Sequence, residues 1–148
     1  KKFGIFFQNI YSYKFNILNK NESPWEGTRV CKKKNLKSID WLRQKVLSKN
    51  MKYPFWRIDK EKNIQVINDG GWHFSYLLTP EQIATKFKSL AETRWDNDKY
   101  LNLEYIKKKI EEKKDLFGRG HIYENVKIDA TYPDYIVKNL QKYKEWII

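Results

Sequence analysis

The chain has 148 residues and a formal net charge of +12, with thirty Lys or Arg against eighteen Asp or Glu. An aromatic content of 16% excludes an intrinsically disordered chain, and the short apolar runs exclude a membrane-spanning helix. A single cysteine, Cys31, excludes a disulfide framework and any Cys-based zinc site. The charge invites a nucleic-acid partner, because a basic surface gathers phosphates. Yet twenty-five of the thirty basic residues are Lys and only five are Arg. Base and phosphate recognition leans on the Arg fork. Abundant Lys, Asn and Ile are what AT-rich codons supply, so generic basicity is the reading carried forward, with no specific nucleic acid expected.

The opening Lys1-Lys2-Phe3-Gly4-Ile5-Phe6-Phe7 is already patterned, with no Met and no signal-peptide sequence before it. That is the pattern expected of the interior of a longer protein. From Phe3 to Ile17 apolar residues recur at odd positions, which predicts a strand with one buried face and a bend near Gln8-Asn9. Asn19 to Pro24 reads as a polar loop, and Trp25 to Cys31 as a turn followed by a short strand. Ser38 can cap a helix running to about Ser48, with Ile39, Leu42 and Val46 on one face. Trp56 to Ile58 and Ile64 to Ile67 are predicted as short strands around a charged turn, and Trp72 to Leu78 as extended chain.

Thr79-Pro80-Glu81-Gln82 is a capping box with Pro at the first helical position. Ile83, Phe87, Leu90 and Ala91 are the buried face of the helix that follows. Asn102 opens another helix, with Leu103, Ile106 and Ile110 inward, and Phe117 to Gly120 is a loop. Pro133 opens the last helix, where Ile136, Leu140, Tyr143 and Ile147 share a side. Strands come first and helices later, so the expected class is α/β or α+β: a short mixed sheet followed by three helices, in one domain over residues 1–148.

The densest stretch is Asp69-Gly70-Gly71-Trp72-His73-Phe74-Ser75-Tyr76. Two glycines permit a sharp turn or close approach to a ligand. Aromatics interleaved with His and Ser make a platform with polar handles, the kind of surface on which a sugar ring lies. A turn beside a partly buried structural His is the plainer reading of the same residues. Alternation sends Trp72, Phe74 and Tyr76 to one face, and His73, Ser75 and Leu77 to the other.

This segment resembles the signature of glycosyltransferase family 17, the family of β-1,4-mannosyl-glycoprotein β-1,4-N-acetylglucosaminyltransferase. The resemblance runs in order through Tyr13-Lys14-Phe15-Asn16, Trp25-Glu26-Gly27-Thr28, Leu42-Arg43, Gly70 to Tyr76, Pro80-Glu81 and Lys86-Phe87-Lys88-Ser89. It ends in Asp115-Leu116-Phe117-Gly118-Arg119 and Pro133 to Asn139. It implies the C-terminal half of a GT-A-like catalytic domain that moves a sugar, N-acetylglucosamine in the characterised case, from a UDP-sugar to an acceptor glycan. A divalent metal, Mn²⁺ or Mg²⁺, would bridge the diphosphate, held mainly by an acidic motif of the family that lies before the matched region. This chain alone is therefore expected to be inactive, and an apolar face or edge at Phe3 to Ile17 is expected where the other half packs. Asp96-Asn97-Asp98 is a literal Asp-x-Asp, read as a solvated loop between helices.

The resemblance also assigns candidate roles. His73 would meet the metal or the diphosphate. Trp72, Ser75, Tyr76, Trp25, Arg43 and Lys86 would bind substrate, each with a packing or surface role as the alternative. An inverting transfer needs a carboxylate base near the acceptor hydroxyl. Glu92 is the first candidate, although many relatives carry a His and a Glu in that region where this chain has Glu92 and Arg94. Asp69 is the second, with a turn-forming Asp as the alternative. Arg119 could approach an anion through its loop. Two other classes stay open: a non-catalytic carbohydrate-binding module and a basic nucleic-acid-binding domain.

Overall fold

Strand β1 (Phe3–Ser12) organises the sheet, because β2 (Ile17–Asn19), β3 (Trp25–Cys31), β4 (Ile64–Ile67) and β5 (Trp72–Ser75) all pair with it. The strand β6 (Tyr123–Asn125) adds to β2, which completes six paired strands. The computed structural model describes residues 1–89 and 98–148. Pairing is antiparallel for β1–β2, β1–β3 and β2–β6, and parallel for β1–β4, so the sheet is mixed. The helices are α1 (Ile39–Arg43), α2 (Leu47–Asn50), α3 (Pro80–Ser89), α4 (Asp98–Leu101), α5 (Leu103–Glu111) and α6 (Asp134–Lys138). A 3₁₀ segment, Leu140–Trp146, follows α6. The protein is thus a mixed α/β fold, and the chain divides into two compact units.

The first unit comprises residues 1–9 and 24–73. Here β1 lies between β3 and β4, with Phe3 opposite Cys31 on one side and Ile64 on the other. Phe3, Ile5 and Ile64 form its buried core, with Trp41, Leu42 and Leu47 packed against them. The β1–β3 register shifts between Ile5 and Phe7, with the extra residue on β3 between Glu26 and Arg29. Two expectations are corrected. The β1 edge from Phe3 to Phe6 is not open, since both neighbours are supplied by this chain. Trp56 to Ile58 is not a strand but a series of turns, with the Arg57 N–H donating to the Pro54 carbonyl and the Ile58 N–H to that of Trp56.

The helix predicted from Ser38 to Ser48 is two short ones. Ser38 caps α1, its Oγ accepting the Trp41 N–H at 3.0 Å. The Glu26 carboxylate caps α2, accepting the N–H groups of Leu47 and Ser48 at 2.7 Å each. A charge at a helix N-terminus satisfies donors that have no partner within the helix.

The second unit comprises residues 10–23 and 74–148. Its core is Tyr13, Ile17, Ile83, Ala84, Phe87, Ile106 and Leu116. The Tyr13 hydroxyl donates to the Lys114 carbonyl and accepts the Leu116 N–H, so the buried phenol is satisfied. Burial pushes its pKa far above the ordinary value. The capping box forms: Thr79 Oγ1 accepts the Gln82 N–H, and Gln82 Oε1 accepts the Thr79 N–H. Asn102 caps α5. Ile106 is inward as expected, whereas Leu103 and Leu140 are exposed. Strand β6 follows α5, so strands and helices are less segregated than expected.

Candidate functional site

The first unit carries a cavity of about 510 Å³ lined by Gln8, Trp25, Gly27, Thr28, Arg29, Ile39, Leu42, Arg43 and His73. Trp25, Gly27, Thr28 and Arg29 all come from β3, where the register with β1 shifts by one residue, so consecutive residues reach the lining. Gln8 is the register partner of Trp25 on β1. Ile39, Leu42 and Arg43 stand at i, i+3 and i+4 on α1, one side of a helix. His73, on β5, brings its ring to 4.8 Å from that of Trp25 at an interplanar angle of 57°.

Gly27 leaves the space that the Gln8 side chain fills. A Cβ there would lie 1.9 Å from Gln8 Oε1 and 2.6 Å from Gln8 Cδ, so the absence of a side chain seats Gln8 in the wall. Gln8 donates from Nε2 to Thr28 Oγ1 at 3.3 Å. Arg29 is held by main-chain carbonyls, Nε to Lys45 at 3.0 Å and Nη1 to Gly27 at 2.5 Å. Burial lowers its pKa, Glu26 opposes the shift, and the Arg43 guanidinium adds to it. A group whose charge is lowered in cost by an incoming anion is a natural anion contact.

The chemistry of the walls is mixed in a useful way. Trp25 and His73 offer ring faces, Ile39 and Leu42 apolar contacts, Gln8 and Thr28 hydrogen bonds to hydroxyls, and Arg29 and Arg43 positive charge. Such a lining fits a small polar molecule with a C–H face and an anionic substituent. Among the described residues lining the cavity none is Asp or Glu. Nor do the described residues include a group of three or more His, Cys, Asp or Glu that could hold a metal ion. The His73 surroundings, with two guanidinium groups in the same lining, do not by themselves fit a divalent cation.

Of the residues singled out from the sequence, Trp25, Arg43 and His73 come together in this cavity. Trp72, also in the first unit, is exposed and not part of the lining. Asp69 is exposed in a left-handed turn (φ 50°), beside Gly70, whose N–H donates to the Phe7 carbonyl at 2.7 Å. Sequence reasoning missed Gln8 and Arg29. Period-two spacing could not have found Arg29, because the register shift within β3 breaks the alternation.

The other candidates belong to the second unit. Tyr76 packs against Tyr13, Phe87 and Phe117, and has a positive φ of 53° that ends the extended stretch. The carbonyl of Ser75 accepts the Tyr13 N–H at 3.0 Å. Lys86 lies over the Tyr76 ring at 4.6 Å, and with Ser89 it lines a shallower cavity of about 460 Å³ beside Glu81 and Thr85. Glu92 lies outside the described residues, as do Leu90, Ala91, Asp96 and Asn97; Asp98 begins α4. Arg119 already has its anion. It grips buried Asp115 with Nη2 at 2.7 Å and Nε at 3.0 Å, and its N–H donates to the same carboxylate at 2.6 Å.

Comparison of the chain with protein-family models, with curated proteins and with solved structures returned no match. The resemblance to glycosyltransferase family 17 therefore rests on the sequence motifs alone.

Proposed function

We propose that this chain is the acceptor-side part of a GT-A-like glycosyltransferase that moves a sugar, N-acetylglucosamine by its resemblance, from a UDP-sugar to an acceptor glycan. One observation carries the reading. Three separate pieces of the motif series, Trp25-Glu26-Gly27-Thr28, Leu42-Arg43 and Gly70 to His73, supply Trp25, Gly27, Thr28, Leu42, Arg43 and His73 to one cavity. Residues that a family signature strings along the chain are expected to meet in space when they serve one site. Trp25 and His73 would take the sugar face, and Arg43 with Arg29 the negative charge of a diphosphate. The divalent metal and the nucleotide would be held mainly by residues outside this chain. The catalytic base would be Glu92 or Asp69, or would also come from outside it.

The test uses the full-length protein of the source gene, assayed for UDP release from UDP-N-acetylglucosamine with Mn²⁺ or Mg²⁺. His73→Ala and Trp25→Ala are expected to lower turnover at least about tenfold with an unchanged thermal midpoint. Near-parental turnover in both variants would return these residues to packing roles.

A binding-only module is the second reading, favoured by the absence of a carboxylate from the described lining of the cavity. It predicts that the 148-residue chain binds N-acetylglucosamine oligosaccharides while the full-length protein releases no UDP.

A further inference from the structure

Residues 50–62 of the first unit form a loop pinned at its neck and apolar at its tip. Buried Asn50 donates from Nδ2 to the Glu61 carbonyl at 2.8 Å. Lys62 Nζ donates to the carbonyls of Tyr53 at 2.5 Å and Pro54 at 3.0 Å. Inside the loop, Arg57 grips Asp59 with two bonds of 2.7 Å and stands 5.2 Å over the Tyr53 ring. Lys60 covers Tyr53 as well, at 5.1 Å. These bonds fix the shape of the loop from within, as in compact Ω-type surface loops.

The tip is left to solvent. Phe55 is 85% exposed, Trp56 65%, Ile58 94% and Met51 60%. Phe55 and Trp56 support each other edge-on at 5.1 Å. Four large apolar side chains held outward by one loop are a costly surface for an ordinary solvated turn, and patches of this kind mark contact sites.

Charge selects the partner. Over residues 45–62 the chain carries Lys45, Lys49, Lys52, Arg57, Lys60 and Lys62 against Asp59 and Glu61 alone. Asp59 is engaged by Arg57 and Lys60. The same bias holds for the whole first unit, with fourteen Lys or Arg against five Asp or Glu; the second unit has sixteen against thirteen. An apolar tip within a positive surround matches an anionic bilayer surface. There an indole sits at the headgroup level, short apolar groups reach the acyl boundary, and Lys stems snorkel to phosphate and carboxylate.

We propose that the loop is a membrane wedge: Phe55, Trp56 and Ile58 enter the headgroup–acyl boundary of an anionic bilayer, and Lys49, Lys52 and Lys60 meet its headgroups. The inference is independent of the glycosyltransferase reading, since it uses none of the cavity residues.

Flotation of the 148-residue chain with lipid vesicles tests it. The vesicles are phosphatidylcholine alone and phosphatidylcholine with about 30% phosphatidylserine, at about 0.15 M salt. Binding is expected to the anionic vesicles only. The double substitution Phe55→Ser with Trp56→Ser should weaken it about tenfold or more, and Ile58→Ser alone should weaken it measurably. Because all three side chains are exposed, the thermal midpoint should not fall. As the control for general basicity, Lys107, Lys108 and Lys109 on α5 are changed to Gln, and this variant should bind nearly as the parent does. Three results would overturn the proposal. One is no flotation with anionic vesicles. Another is undiminished flotation of the double variant. The third is sedimentation showing a dimer of the parent that the double variant abolishes, which would make the tip a contact between copies of the chain.

Discussion

At the scale of single residues, two glycines show what the site demands of its backbone. A methyl group at Gly70 would stand 2.7 Å from Phe6 Cβ and 2.9 Å from Phe6 Cα. The second of these atoms is backbone within paired β1, which cannot rotate aside as a side-chain tip can. Gly70→Ala is expected to cost about 1–3 kcal/mol, read as a lower midpoint in urea. An unchanged midpoint would mean that β1 shifts freely, contrary to its pairing on both sides. Gly27 faces the flexible Gln8 instead, so Gly27→Ala should leave stability nearer the parent and alter the cavity wall. The sequence made the Gly-Gly pair conspicuous, but only as a turn or a close approach. Which atoms approach was decided by the strand that packs there.

At the scale of elements, capping was the most legible feature, because it acts over three or four residues. Ser38, the Thr79–Gln82 box and Asn102 all cap where the sequence places them. Thr79→Ala should therefore cost about 1 kcal/mol, measured by chemical denaturation, and Thr79→Ser should recover most of it. The cap of α2 was not legible. Its acceptor, Glu26, is on β3 and reaches the helix only through the fold. Glu26→Gln removes the charge, keeps one acceptor and sets an NH2 donor against the other helix N–H, so a loss of about 1–3 kcal/mol is expected. Trp56 to Ile58 is the clearest mismatch between pattern and element. Its apolar and aromatic residues suit a strand, but among the described residues no strand pairs with them, and the chain turns instead.

At the scale of the whole molecule, charge and acid sensitivity are the properties that can be checked. Burial raises the pKa of the Asp115 carboxyl, but its bonds to the Arg119 side chain and N–H, with His121 nearby, outweigh this and hold it below the usual carboxylate range. A carboxylate lowered in the folded state stabilises the fold above its unfolded value, and that contribution fades as pH falls through the folded one. Stability should thus decline from about pH 4 downward. In an acid titration followed by tryptophan fluorescence, Asp115→Asn should be less stable near neutrality and less dependent on pH in that range. Net charge makes a second prediction. Binding to DNA or RNA should be weak, indifferent to sequence and largely lost on raising salt severalfold, as fluorescence anisotropy at two salt concentrations would show. Tight binding that survives salt would restore a nucleic-acid function.

The sequence by itself determined the mixed α/β class, the strands at β1 and β4, the starts of α1, α3, α5 and α6 and most of the core-facing residues. Each of these rests on spacing within a few residues, where side-chain periodicity and cap chemistry act. The tertiary structure alone decided that Trp25, Arg43 and His73 share a cavity with Gln8 and Arg29, because pairing across β1 and the placement of α1 are long-range events. It also decided which aromatics are buried. Tyr76 joins a core while Phe55 and Trp56 face solvent, although hydrophobicity reads them alike. Burial depends on what packs opposite a residue, and that partner is supplied by chain far away in sequence.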